Sequence, residues 1–369
     1  MDFRLTDDQR ALRAGVRELL EGRFPRERLR AAVDGGPPVV DRALWRELGG
    51  AGFFALRLRE ADGGVGLGLP EAVLVFEEAG RALLPGPLVA TYLAAGVVEG
   101  AAEGRAVVTA LDAAVGAGRG AVGAAGRGAA GDGAGALVEH LASADVVLEI
   151  GSPGDGDIEA LPAAGLARAA RPVRSVDPAT PLHRVPCPDR LPRPDRLPRP
   201  DRLPRPDRVA YPDRLAAPDR PVGPRSAGRF RREAVLLTAA LQLGSAARTV
   251  EMAVRHARER FQFGRPIGAF QAVQHLCAGM LVRAETARSV VYAAAVTEDA
   301  GEVAAAKLLA DEAAVRNARD CLQVHGGMGF TWEADVHLHL KRAWVRAEQW
   351  QRAADAEEEL AAGLLSFGA

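Results

Sequence analysis

A strict repeat near the middle of the chain restricts its fold more than any other feature of the sequence. The triplet Pro-Asp-Arg begins at six prolines spaced six residues apart: Pro188, Pro194, Pro200, Pro206, Pro212 and Pro218. Proline fixes the backbone dihedral φ and donates no backbone hydrogen bond, and the repeat holds few apolar side chains to bury. We therefore expect residues 188–227 to form a solvated, extended linker. The alternative is a proline-rich ligand for a partner domain.

Residues 1–100 are predicted to form a helical domain. Thr6 and Gln9 make a capping-box pattern in front of apolar residues that recur at helical spacing. Further helices are predicted at Asp41–Leu48 and Leu69–Leu83, and the second of these begins at a proline and ends before Pro and Gly residues. A glycine-rich loop joins them.

The helical period disappears over residues 101–187. Short apolar runs at Ala106–Leu111, Asp145–Ile150 and Ala167–Val173 are bounded by Gly, Pro and Asp residues, which is typical of strands. The stretch Ala113–Gly135 is almost wholly Gly and Ala and is predicted to be a loop. This part of the chain is therefore expected to be a β-rich middle domain.

Residues 228–369 are again predicted to be helical. The expected helices are Arg231–Arg258, Pro266–Thr297, Glu302–Val324, Asp335–Arg346 and Gln351–Leu365. Long helices with short connections are typical of an antiparallel bundle. The fold class that follows is α+β, with a helical domain, a small β domain and a helical bundle in that order.

The composition excludes several classes of protein. Lys and Arg number 47 against 48 Asp and Glu, so no global positive charge draws the chain to nucleic acid. No apolar run is long enough to span a membrane, and the first residues lack the apolar core of a signal peptide. Cys187, Cys277 and Cys321 have neither disulfide nor metal-ligand spacing, and His337 and His339 are predicted to point apart on a helix. We expect a cytoplasmic protein without a metal site.

Two stretches contain residues suited to a ligand. The first, RFQFGRPIGAFQAVQ over Arg260–Gln274, puts Arg260, Gln262 and Phe263 in a loop between two helices, where a guanidinium and backbone N–H groups suit a pyrophosphate. An ordinary helix–loop–helix turn is the alternative. The second, QVHGGMGF over Gln323–Phe330, has glycines that let a backbone approach a ligand closely. A glycine-terminated helix end is the alternative there.

Taken together, these stretches resemble the C-terminal domain of the acyl-CoA dehydrogenase family, flavoproteins that form α,β-unsaturated acyl-CoA thioesters. The matching segments are RFQFGRPIGAFQAVQH and QVHGGMGFTWEADVHLHLKRA. The segments LTDDQRALRAGVRELL, LWRELGGAGFFAL and VFEEAGRALLPGPLV resemble the N-terminal domain of the same family. The resemblance implies an N-terminal helical domain, a small β-barrel middle domain and a C-terminal four-helix bundle through which subunits pair.

The resemblance also implies a cofactor and its site. The residues that fall where the family binds the pyrophosphate and adenosine end of FAD from a neighbouring subunit are Arg260, Gln262, Phe263, Ile267, Phe270 and Gln271. Those that match a second FAD-contacting loop are Gln323, Gly326 and Gly327. The implied partners are an acyl-CoA substrate of fatty-acid metabolism, an electron-transfer acceptor and further subunits in a homo- or hetero-oligomer.

The sequence departs from the family at two places. The Thr-Glu-Pro and Trp-Ile-Thr segments that hold the isoalloxazine ring in the family are missing from residues 105–160. The family's catalytic Glu aligns with Trp350, and the alternative Glu position of some members aligns with Ala234, so no catalytic residue is assigned. Glu233 and Glu348 lie nearby and are expected to be solvated helix carboxylates, and the alternative is that one of them is the base.

These departures leave three functional hypotheses open. In the first, the chain is an FAD-dependent oxidoreductase that is either catalytic itself or part of a catalytic assembly. In the second, it is a non-catalytic subunit that completes another chain's FAD site, and in the third it is a relative that holds no flavin.

Overall fold

The computed structural model describes residues 4–35, 40–112, 135–151, 158–186 and 226–366. The Pro-Asp-Arg repeat, Cys187 and most of Ala113–Gly135 lie outside these residues. The α-helices of the described part are α1 (Asp7–Arg23), α2 (Arg26–Asp34), α3 (Arg42–Gly50), α4 (Leu69–Arg81), α5 (Leu88–Ala94), α6 (Ala163–Ala169), α7 (Ala227–Glu259), α8 (Gln271–Thr297), α9 (Ala300–His325), α10 (Val336–Ala347) and α11 (Ala353–Ser366). None of them is long and apolar enough to cross a lipid bilayer.

The N-terminal helices form where the local sequence signals predict them. At the start of α1 the Thr6 hydroxyl accepts from the backbone N–H of Gln9, and the Gln9 side chain accepts from the backbone N–H of Thr6. At the start of α3 the Asp41 carboxylate accepts two backbone N–H groups. Such caps satisfy N–H groups that have no partner within the helix. The apolar faces of these helices bury Trp45, Phe54 and Phe76 in one core.

The middle part contains two small sheets in its described residues. Their strands are β1 (Val108–Asp112), β2 (Ala136–Glu139), β3 (Val146–Ile150), β4 (Ile158–Pro162), β5 (Arg171–Val173) and β6 (Leu182–Val185). In the first sheet β1 pairs in parallel with β3, and β3 pairs antiparallel with β4. In the second, β6 pairs antiparallel with both β2 and β5. The strand predicted at Ala167–Val173 was wrong in its first half, because those residues belong to helix α6.

The C-terminal helices pack as a bundle around α7. This helix contacts α8, α9 and α10, and it also packs along α4 of the N-terminal part. Arg342 of α10 joins all three parts, since its buried guanidinium pairs with Asp177 of the middle part and donates to the carbonyl oxygens of Leu83 and Leu84. The α+β class and the expected order of the three parts are confirmed.

Candidate functional site

The first stretch forms a short hairpin, which the sequence did not predict. Strand β7 (Phe261–Gln262) pairs antiparallel with β8 (Arg265–Pro266). Phe263 and Gly264 join the strands with φ of +53° and +77°, and positive φ at both turn residues is typical of tight hairpins. The prediction that Pro266 begins the next helix was wrong, because a 3₁₀ turn over Ile267–Ala269 follows and α8 begins at Gln271.

Aromatic contacts organise the side chains around this hairpin. The Phe263 ring lies edge-on to the Phe270 ring with centroids 6.0 Å apart, and the Arg265 guanidinium lies over the Phe270 ring at 4.3 Å. The Phe263 side chain is 91% exposed. Arg260, Gln262 and Gln271 are exposed as well. The hairpin therefore presents an aromatic ring and polar donors on one open surface.

The second stretch begins at the end of α9. Helix α9 ends at His325, and the Gly326 N–H donates to the carbonyl oxygen of Gln323. Gly326 has φ +59° and ψ −142°, a backbone conformation essentially restricted to glycine. A 3₁₀ turn over Gly326–Phe330 follows, and Gln323, Gly326 and Gly327 are all exposed. The stretch is a glycine-terminated helix end, and it leaves the backbone of these residues open to a ligand.

Two histidines bring the stretches together. His256, in the last turn of α7, stacks on His325 with ring centroids 4.1 Å apart and an interplanar angle of 21°. The Nδ1 of His325 lies 2.8 Å from the carbonyl oxygen of Cys321, and a donated hydrogen bond there fixes the ring. Burial lowers the pKa of His256, and the nearby His325 and Arg260 lower it further. We call the exposed surface formed by Arg260–Gln271 and Gln323–Gly327 the loop surface.

The two positions aligned with the family's base hold no acid. Trp350 is partly buried, has φ +64°, and its ring lies 5.8 Å from that of Phe230. Ala234 is fully buried in α7. The expectation that Glu233 is solvated was wrong: it is 2% exposed, because Arg57 and Arg229 donate to its carboxylate at 2.9 Å and 3.0 Å. Glu348 is exposed at the end of α10.

A carboxylate that the sequence interpretation missed faces the Trp350 region from the opposite side. Glu139, Trp344 and Trp350 line a cleft of about 570 Å³ between the second sheet and the α10–α11 connection. Gln349 donates to the Glu139 carboxylate at 2.7 Å and so bridges the cleft. Burial raises the pKa of Glu139 to about 7, against the lowering effect of this hydrogen bond and of Arg346. No sequence pattern predicted it, because β2 follows directly on the Gly-Ala stretch.

The described residues contain no group of three or more His, Cys, Asp or Glu side chains that could hold a metal ion. The His337 ring stacks on the Trp332 ring, and its Nε2 lies 3.2 Å from the backbone carbonyl oxygen of Trp332. His339 bonds to Ser245 instead. These two histidines therefore have separate structural partners.

Comparison with known proteins assigns the family. Residues 6–103 match the acyl-CoA dehydrogenase N-terminal domain, and residues 227–349 match the acyl-CoA dehydrogenase C-terminal domain. Acyl-CoA dehydrogenase IpdE2 of Mycobacterium tuberculosis is 31% identical over 349 residues, which cover 93% of this chain and 92% of that protein. The chain belongs to the acyl-CoA dehydrogenase family.

Solved structures with the same architecture include complexes of two named chains. The ChsE4-ChsE5 complex from Mycobacterium tuberculosis matches with a TM-score of 0.73 and 24% identity over 99% of both chains. The Tcur3481-Tcur3483 steroid ACAD G363A variant matches with a TM-score of 0.72 and 24% identity over 98% of both. At this identity the likeness is one of fold. As a member of the family, the chain is related to flavoprotein oxidoreductases.

Proposed function

We propose that this chain takes part in FAD-dependent α,β-dehydrogenation of an acyl-CoA thioester as one subunit of a cytoplasmic hetero-oligomer that passes its electrons to a separate acceptor. In this proposal the chain lends its loop surface to the FAD of a neighbouring subunit. The observation that carries the proposal is the stacking of His256 on His325, which joins two stretches far apart in sequence into one exposed surface.

The loop surface fits the outer half of a dinucleotide site. The Arg260 guanidinium makes no ion pair with another described residue, and it follows directly on the end of α7. A phosphate beside it would gain charge-assisted hydrogen bonds from the guanidinium. Gln262 and Gln323 offer further amide donors, and Phe263 offers an apolar face. In this proposal these groups form one wall of the site, and a second chain supplies the other.

Among the described residues, the inner half of the site lacks the base that the family resemblance implies. A bound FAD would supply the hydride acceptor for the β-carbon of the thioester, and a carboxylate base would be needed to take the α-proton. Here Trp350 packs on Phe230 where that base is expected. In the adjoining cleft the Glu139 carboxylate is engaged by Gln349, which donates to it at 2.7 Å. These contacts favour a base and a ring-binding segment supplied by another chain.

A second candidate function is that of a subunit without any active site of its own, and Trp350 favours it. Pairing with a different chain also has a parallel in the similar fold of the ChsE4-ChsE5 complex. The two candidates share the loop surface and differ in whether the chain's own cleft turns over substrate.

Co-expression with a complete family member from the same genome tests the proposal. Native mass spectrometry and flavin absorbance should give a hetero-oligomer with fewer flavins than chains, and the chain purified alone should be colourless. A homo-oligomer of this chain with one FAD per chain and acyl-CoA turnover would overturn it.

Arg260→Ala tests the loop surface itself. A lost charge-assisted hydrogen bond costs about 1.5–3 kcal/mol, so flavin should bind at least tenfold more weakly to the assembly. The thermal midpoint should stay unchanged, because Arg260 is exposed. Arg258→Ala, in the last turn of α7 and also exposed, is the matched control and should retain flavin. Unchanged flavin affinity in Arg260→Ala would remove Arg260 from the site.

A further inference from the structure

A second cleft, of about 430 Å³, shares no lining residue with the Glu139 cleft. The end of α1 and the start of α2 form one wall, and the end of α4 together with α7 and α10 forms the other. Its volume falls within the range typical of small-molecule sites. None of the residues assigned to the loop surface lines it.

A buried histidine lies at the base of this cleft. His339 is 3% exposed, and its Nδ1 lies 2.8 Å from the hydroxyl oxygen of the fully buried Ser245. This contact engages Nδ1 and fixes the ring, and no hydrogen bond joins Nε2 to a described residue. Because His339 lines the cleft, Nε2 is the ring nitrogen left for a ligand there.

Burial, together with the charges of nearby arginines, lowers the pKa of His339 to about 3, so the ring is neutral at physiological pH. Of these arginines, Arg81 and Arg248 pair with Glu251, and Arg342 pairs with Asp177. Their charges are therefore largely compensated, and a guanidinium without an ion-pair partner is what would favour an anion in the cleft.

The carboxylates that line the cleft are mostly engaged. Glu78 accepts two hydrogen bonds from Arg17, and Asp335 accepts from Arg26. Glu21 lies at the exposed rim. Arg255 lines the cleft as well and makes no ion pair with any described residue. Its guanidinium is therefore available to an anionic group.

Apolar side chains from both walls also line the cleft. They are Leu20 of α1, Phe24 between α1 and α2, Leu29 of α2 and Met252 of α7. An inorganic ion would leave these side chains and most of the volume unused. A ligand with an anionic head and a small apolar body would contact both walls.

We propose that this cleft binds a small organic anion, with a carboxylate or phosphate head between Arg255 and His339 and an apolar body against Leu20 and Met252. The site is independent of the proposed flavin chemistry and of the loop surface. It assigns to the chain a ligand other than the acyl-CoA substrate and FAD.

Isothermal titration calorimetry on the full chain tests the proposal. If a partner chain co-purifies, the complex is titrated. The probes are n-hexanoate, n-hexyl phosphate and n-hexanol, which share one apolar body and differ in the head group. Both anions should bind saturably, and hexanol should bind at least tenfold more weakly. The tighter of the two anions identifies the head group. Equal binding of hexanol, or no saturable binding of either anion, would overturn the proposal.

Arg255→Gln places the ligand within the cleft. It should weaken binding of the anions about tenfold, while Arg258→Gln, one turn away and outside the cleft lining, should bind like the unmodified chain. In ¹⁵N-histidine spectra the His339 ring signals should shift on ligand addition, a change that a purely structural histidine would not show. Unchanged affinity in Arg255→Gln, or unshifted His339 signals at saturation, would contradict the assignment.

Discussion

Helices α4 and α7 cross at two glycines, and a methyl group added at this crossing tests how the N-terminal part is held on the bundle. A Cβ atom at Gly244 of α7 would lie 1.8 Å from the carbonyl oxygen of Glu77, and one at Gly80 of α4 would lie 2.0 Å from that of Leu241. Each helix thus presents a glycine to the backbone of the other. No larger residue fits either position unless the helices separate.

The expected cost of Gly244→Ala follows from this overlap. Ordinary contacts of a Cβ atom begin near 3.4 Å, so the backbones must separate by about 1.6 Å. The opposing atom belongs to the backbone and cannot rotate away, which puts the overpacking cost at the upper end of about 1–3 kcal/mol. Alanine stabilises a helix by about 1 kcal/mol relative to glycine, which offsets part of this cost. The net loss of unfolding free energy is expected to be about 2 kcal/mol.

Urea unfolding followed by circular dichroism measures this difference, with Gly15→Ala as the control. Gly15 lies in the exposed middle of α1, and a Cβ atom there would meet nothing within 4 Å. The Gly15→Ala variant should gain about 1 kcal/mol of unfolding free energy. Because Gly244→Ala should lose about 2 kcal/mol, the two variants should differ by about 3 kcal/mol. If Gly244→Ala is as stable as the unmodified chain, the close crossing of α4 and α7 does not exist as described.

Two further predictions concern buried histidines and the missing base. Burial lowers the pKa values of His140 and His339 to about 3, well below the ordinary value. As the pH falls from about 6.5 towards 3, the unfolded chain takes up protons that the native chain does not, so the free energy of unfolding falls over this range. His140→Asn removes this titration, and asparagine tolerates the positive φ of +52° at this position. Between pH 5.5 and 3.5 the slope of the unfolding free energy against pH should fall by about 1.4 kcal/mol per pH unit. An unchanged slope would contradict the conclusion that His140 is buried as a neutral ring. Trp350→Glu should lose the Phe230 contact and so lower the urea midpoint. It should confer no acyl-CoA turnover on the chain alone, and turnover would contradict the proposal that a second chain completes the active site.

Local sequence signals predicted most of the long helices. The capping box at Thr6 and the glycine after His325 mark helix ends whose backbone partners lie within a few residues, so the sequence itself specifies them. The short helices α2 and α5 were not predicted. They are stabilised by contacts with the rest of the N-terminal core, such as those of Leu29 and Leu93, which no local pattern reveals.

The candidate site was predictable only in part. The motif around Arg260 predicted a loop, but it did not predict the hairpin. The hairpin depends on a turn that places Phe263, a non-glycine residue, at positive φ. The stack of His256 on His325 requires α7 and α9 to pack side by side, and the burial of Glu233 requires Arg57 from a distant loop. Such contacts between separate elements determine whether a side chain is available to a ligand.

The loop surface and the Glu139 cleft differ in the groups that they offer to a ligand. At the loop surface Phe263 is 91% exposed, and the neighbouring polar side chains face outward without ion-pair partners among the described residues. The Glu139 cleft has a volume of about 570 Å³, but Trp350, packed on Phe230, takes the position that aligns with the family's base. A subunit that turned over substrate in its own cleft would need an acid at that position. An exposed loop surface together with a cleft that lacks this acid is what we expect of a subunit that contributes to a neighbour's site, the role proposed above.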